Sequence, residues 1–204
     1  MKKRSSALAV LSAAAVLAAP AAASAASGAP AAGISAGPSA SGTTTLSFRG
    51  MNLQIPSTWK VHRDGDQVVV ATGACPEASY FINKKPCKGF WLFGPEAIKR
   101  GDESFGAYTG KKPFYPSTGV QYCPFNSKSE QHLGKATARG LRQVGPARKA
   151  KYTAWAGTCE DPTGNRRTAT YTQREWFLPG SKILVVDLWN HKSLPDLLKR
   201  ATWS

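Results

Sequence analysis

One run near the C-terminus, Lys182-Ile183-Leu184-Val185-Val186-Asp187-Leu188-Trp189, constrains this chain more than any other. It is the most β-branched and apolar run outside the N-terminal segment, and a run that apolar marks a central strand, covered on both faces. Before it lies Thr168-Ala169-Thr170-Tyr171-Thr172-Gln173-Arg174-Glu175-Trp176-Phe177-Leu178, rich in the Thr and aromatic residues that fit a pleated surface. Between the two, Pro179-Gly180-Ser181 supplies a reversal, because Pro presets φ and Gly tolerates φ > 0. Residues 167–189 therefore read as one β-hairpin, and the rest of the chain must provide its cover.

Upstream segments offer that cover. Residues 43–48 and 51–55 read as strands, the second alternating apolar and polar at period two. Pro56 to Trp59 ends it, and the turn Arg63-Asp64-Gly65-Asp66 leads into a valine-rich strand at 67–72. A short strand is expected at 89–94, then a short helix at 95–100 with Pro95 in its first position. The aromatics Phe105, Tyr108, Phe114 and Tyr115 punctuate a loop, where they cap a core or line a binding surface. Polar residues 127–134 read as loop, 135–142 as a strand with basic residues outward, and 149–159 as another strand. A helix over 193–200 closes the chain, with Ser193 as its cap and Leu194, Leu197 and Leu198 toward the sheet.

The N-terminus carries Lys2-Lys3-Arg4, an Ala/Leu/Val run too short to span a bilayer, and Ala23-Ser24-Ala25. These three parts make residues 1–25 a Sec-type secretory signal peptide, so the protein is expected to be secreted, with no transmembrane segment in the mature chain. Residues 26–42, an Ala/Gly/Ser/Pro segment without charge, are expected to be a disordered linker. Residues 43–204 then form a single globular domain. Four cysteines in an oxidising compartment suggest two disulfides, and the favoured pairing is Cys75–Cys87 with Cys123–Cys159. No Cys-x-x-Cys pair exists, and neither metal nor cofactor is expected.

Net charge bears on partners. Removing the three cations Lys2, Lys3 and Arg4 from a precursor charge of +15 leaves +12, which favours polyanions. Lys135, Arg139, Arg142, Arg148, Lys149 and Lys151 occur with no acid between Glu130 and Glu160, and Tyr152 and Trp155 follow. That pattern suits electrostatic attraction supplemented by stacking on sugar rings or bases. Candidate partners are an anionic cell-wall polymer or another polyanion, and a protein.

Catalytic signals are thin, and the balance leans against an enzyme. A nuclease would draw on His62, His132 and His191 with Glu130, Glu160 or Glu175, but no spacing assembles an acid, a base and a cation around a phosphate. Gly33-Ile34-Ser35-Ala36-Gly37 fits Gly-x-Ser-x-Gly but lies in the linker, where no strand-to-helix turn can expose the serine. His-Glu-x-x-His and the phosphate-cradling Gly-x-x-x-x-Gly-Lys-Ser/Thr are absent. A secreted protease inhibitor is the third class, drawn on Tyr122-Cys123-Pro124-Phe125 or Lys84-Lys85-Pro86-Cys87 as a disulfide-braced loop.

The run Phe48-Arg49-Gly50-Met51-Asn52-Leu53-Gln54-Ile55-Pro56-Ser57-Thr58-Trp59, the late hairpin and the closing helix together resemble the PsbP-like α/β/α sandwich. That resemblance implies a non-catalytic docking or accessory role. The expected fold is α+β, mostly antiparallel sheet with a short C-terminal helix, disulfide-stabilised and PsbP-like in its layers. The expected function is a secreted non-catalytic binding or accessory protein, with a nuclease-type hydrolase or a protease inhibitor as alternatives.

Overall fold

A computed structural model describes residues 42–74, 87–101, 108–116, 121–164 and 166–204, all within one compact unit, Ala40–Ser204. The expected signal peptide and all of the expected linker except Gly42 lie outside the described residues. Gly42 itself is tied in, because the Ser57 N–H donates to its carbonyl at 2.8 Å.

Two antiparallel sheets make up the fold. In the smaller, β1 (Thr43–Phe48), β2 (Met51–Pro56) and β11 (Thr202–Trp203) run in the order β1-β2-β11. The larger contains β3 (Lys60–Asp64), β4 (Gln67–Ala71), β5 (Gly89–Phe93), β6 (Tyr122–Cys123), β7 (Asn126–Gln143), β8 (Lys149–Glu160), β9 (Arg167–Leu178) and β10 (Ile183–Asp187). Its order is β3-β4-β5-β10-β9-β8-β7-β6, and it curls into a half-barrel. Two short helices are described, α1 (Pro95–Gly101) and α2 (Leu194–Lys199).

The apolar run sits where its composition demands. β10 lies between β5 and β9, and all five of its residues are buried. Ile183 and Val185 face one core, with Met51, Leu53 and Ile55 of β2 and Leu194 and Leu198 of α2. Leu184 and Val186 face a second core, with Phe93, Ile98 of α1 and Phe114. Burying those four side chains stabilises the fold by roughly 6–12 kcal/mol before entropy is counted. Tyr108 and Phe114 cap the second core: Phe114 packs on Phe93 at 4.9 Å, and Tyr108 on Phe177 at 5.1 Å.

The α+β class is corrected. The protein is mostly antiparallel β-sheet, and helices of 7 and 6 residues cannot form a layer over eight strands. A helix-layered, PsbP-like sandwich is therefore not the architecture. One reason lies in 127–134, expected as loop because it is polar. It is the first half of β7, whose partners are polar too: Ser129 bonds Thr168, and the Tyr171 hydroxyl donates to Gln131. An antiparallel strand with one wet face needs no apolar alternation in every segment. A second reason is the C-terminus, where α2 gives way to β11, which pairs with β2 through Thr202 and Trp203. Ser193 also departs from expectation: it makes no capping side-chain bond, and its Oγ lies 3.3 Å from His191 Nδ1.

Cys123–Cys159 is formed, joining β6 to β8. Cys87 is disulfide-bonded as well, but its expected partner Cys75 lies outside the described residues, as do Lys84 and Lys85.

Candidate anion-binding surface

The long β7–β8 hairpin carries the basic segment. Lys135, Arg139, Arg142, Arg148, Lys149 and Lys151 are all exposed. Among the described residues the ion pairs are Arg49–Asp66 and Arg174–Asp187, so none of these six meets a carboxylate. Strand register divides them. Arg139, Lys149 and Lys151 lie opposite Thr153, Gln143 and Leu141, on the face of Trp155 and Phe177. Arg142 lies opposite Ala150, on the other face with Tyr152 and Trp176. Lys135 falls at the register break between Leu133 and Ala136.

Each arginine on the hairpin is fixed by an aromatic ring, which orients its charge at little entropic cost. Arg139 sits 4.7 Å from the centroid of Trp155 and donates to the carbonyls of Gly110 and Lys111. Arg142 sits 4.8 Å over Tyr152, which packs on Trp176 at 5.0 Å. Arg148 sits 3.8 Å over Trp203, and its Nη1 donates to Ser181 Oγ at 2.7 Å. Trp155 was expected as a stacking surface for a ligand. It is only 3% exposed, covered by Arg139, so it serves the core and the placement of that guanidinium. Tyr152 is half-buried with Arg142 above it.

The turn end of the hairpin collects further cations that the sequence scatters. Three shallow grooves surround residues 143–149. One of about 350 Å³ runs between Arg142, Arg174 and Lys199. A second of about 440 Å³ is lined by Lys199 and Arg200, and Asp196 borders both this groove and the first. A third of about 460 Å³ lies between Arg148, Lys149 and the β9–β10 turn. Arg49, from the β1–β2 turn, reaches this last turn and donates from Nε to the Ser181 carbonyl at 3.3 Å. Arg49, Arg174, Lys182, Lys199 and Arg200 were not singled out from sequence, since only folding brings residues 49, 148 and 182 together.

Beneath the opposite face lies a buried carboxyl. Glu175 Oε1 accepts from the Phe114 N–H at 2.8 Å and from Gln173 Nε2 at 2.7 Å, and its Oε2 from the Tyr108 hydroxyl. Burial raises the Glu175 pKa above its ordinary value, and these donors pull it part of the way back. The group closes residues 108–116 over the sheet. Tyr171, also on this face, has its pKa raised by burial and by neighbouring Tyr115.

The histidines do not converge. His62 is on β3 and His132 on β7, near opposite edges of the larger sheet. His191 does lie near Asp187 and Arg174, yet Asp187 accepts from the His191 backbone N–H at 3.0 Å. The His191 ring packs on Trp59 at 4.9 Å. Burial lowers its pKa, Asp187 opposing and Arg174 adding to the effect. Asp187 is fully buried and spends its oxygens on Arg174 and two backbone N–H groups. The acid thus braces an arginine and a turn rather than orienting an imidazole, which is the wrong geometry for a serine- or phosphate-directed base. Among the described residues no cluster of three or more His, Cys, Asp or Glu could hold a metal ion. No described helix is long and apolar enough to cross a membrane.

Compared with protein-family profiles, with curated proteins and with solved structures, the chain matches none.

Proposed function

We propose that this is an exported, non-catalytic binding protein that associates with an anionic extracellular polymer, foremost a cell-wall polymer, through the turn end of the β7–β8 hairpin. One observation carries the proposal: Arg142, Arg148, Lys149, Lys199 and Arg200 line the grooves at that end beside a single acid, Asp196, and none of the five is ion-paired among the described residues. Exposed cations left unneutralised attract a polyanion over a Debye length, and a polymer engages several of them together. Ring-fixed guanidinia add directed hydrogen bonds to oxyanions. The shallowness of the grooves suits a chain lying across the surface better than an enclosed small molecule.

Retention on an immobilised anionic polymer tests it. The Arg142→Gln, Arg148→Gln, Lys149→Gln triple variant is expected to elute at markedly lower salt than the wild type, and identical elution would refute the placement.

A second reading, protease inhibition, draws on one feature. The β6–β7 turn, anchored by Cys123–Cys159, exposes Tyr122 and Phe125. Stoichiometric titration into a secreted protease tests it, and an undiminished protease rate dismisses it.

A further inference from the structure

We propose that the groove beside the β9–β10 turn is an oxyanion site, in which Arg49, Arg148 and Lys182 grip one phosphodiester or carboxylate group of the bound polymer. The inference rests on the polyanion proposal above and locates the contact within it.

Backbone conformation points there independently of charge. Three described non-glycine residues have positive φ: Arg49, Lys182 and Asn190, each at 51°. A left-handed backbone strains an ordinary L-residue, and Asn relieves it with its short polar side chain. Asn190 follows that rule; Arg49 and Lys182 break it. Arg49 and Gly50, with φ of 51° and 80°, form the two-residue connection between β1 and β2, which needs φ > 0 at both positions and favours Asn-Gly. Lys182 ends the β9–β10 turn, its N–H donating to the Pro179 carbonyl at 3.3 Å, at a place where Gly is the usual residue. The chain therefore sets a cation at two strained positions, and both adjoin Ser181.

Ser181 marks the centre. Its carbonyl accepts from Arg49 and its hydroxyl from Arg148. Arg148 is held from behind by Trp203, and Arg49 from the side by Asp66, 3.4 Å from its Nη1. Two braced guanidinia meet at Ser181, beside a groove of about 460 Å³ that Arg148 and Lys149 also line, and Lys182 is the next residue of the same turn. Strain retained at a cation-bearing turn is the kind that persists at ligand sites. An anion seated there replaces the serine as acceptor or shares the guanidinia with it.

The test uses Arg49→Asn, Lys182→Asn and the double variant, with Lys128→Asn at the far end of β7 as the control. Asn suits the left-handed backbone, so the denaturation midpoint of each site variant is expected to hold or rise. Affinity is measured for two probes, a poly(glycerol phosphate) and polygalacturonate, across a salt series. For the double variant the affinity at low salt falls about tenfold, and the slope of log K against log salt flattens by about 0.7 per cation removed. Loss confined to the poly(glycerol phosphate) identifies phosphodiester as the ligand group, and loss confined to polygalacturonate identifies carboxylate. Unchanged affinity in the double variant, or an equal loss in Lys128→Asn, overturns the site while leaving the wider proposal standing. Absence of wild-type binding to either polymer overturns both.

Discussion

Replacing Asp187 by Ala, and separately by Asn, probes the joint between the central strand and the basic surface. The carboxylate is fully buried and accepts from Arg174 through Nε at 2.9 Å and through Nη2, from the Trp189 N–H at 2.9 Å and from the His191 N–H at 3.0 Å. Alanine removes the carboxylate acceptors at once, leaving a guanidinium that is only 12% exposed with just the His191 carbonyl, 2.7 Å from its Nη2, to accept from it. Breaking such a pair from one side costs about 3–5 kcal/mol, and two orphaned backbone N–H groups place the loss at the upper end. Against a total stability of roughly 5–15 kcal/mol, that variant is close to unfolding. Asparagine keeps the volume and one acceptor oxygen but loses the charge, at about 1.5–3 kcal/mol, or a drop of roughly 4–8 °C in Tm. Urea denaturation followed by tryptophan fluorescence at neutral pH reads both. Adding Arg174→Met to the Ala variant restores part of the loss, because the stranded charge disappears. An Ala variant losing under about 1 kcal/mol, or an Asn variant losing as much as Ala, refutes the assignment of this carboxylate as the buried brace.

Glu175 sets a pH dependence. Its folded pKa lies above the ordinary 4.5, so its contribution is fully present below that value and is lost as pH rises through the folded pKa. The stability advantage of the wild type over Glu175→Gln should therefore shrink as the pH is raised above the ordinary 4.5, as measured by paired urea melts; a constant difference contradicts the raised pKa. Gly157 faces Tyr171 across the β8–β9 pair, and a Cβ there would lie 2.5 Å from the ring. Gly157→Ala is expected to cost about 1–3 kcal/mol, and Tyr171→Ala in the same chain to recover part of it, with the double-mutant cycle as readout.

Legibility in the sequence followed the strength of local pattern. Ile183–Asp187 could be read because a fully buried strand needs apolar residues at consecutive positions, whichever face they take. The Met51–Pro56 alternation and the Pro179-Gly180 reversal were readable for similar local reasons. Residues 127–134 were not, since their strand state is imposed by pairing to β6 and β8 and by the Cys123–Cys159 link. Thr202–Trp203 is too short to carry a pattern, and its pairing with β2 is a tertiary event. At the candidate site, the six cations of 135–151 were visible as a run, but strand alternation sends them to both faces. Trp155 looked available and is buried, because Arg139 and residues 108–116 close over it. Arg49 stood in plain view before Gly50, where a tight hairpin favours Asn. Its meaning emerged only beside Ser181.

The most direct measurement is the equilibrium affinity of the mature protein for a purified anionic wall polymer as a function of salt. Log K is expected to fall linearly with log salt, with a slope of about −3.5 to −5 for five to seven engaged cations. Binding that ignores salt, or no binding at low ionic strength, would contradict the account.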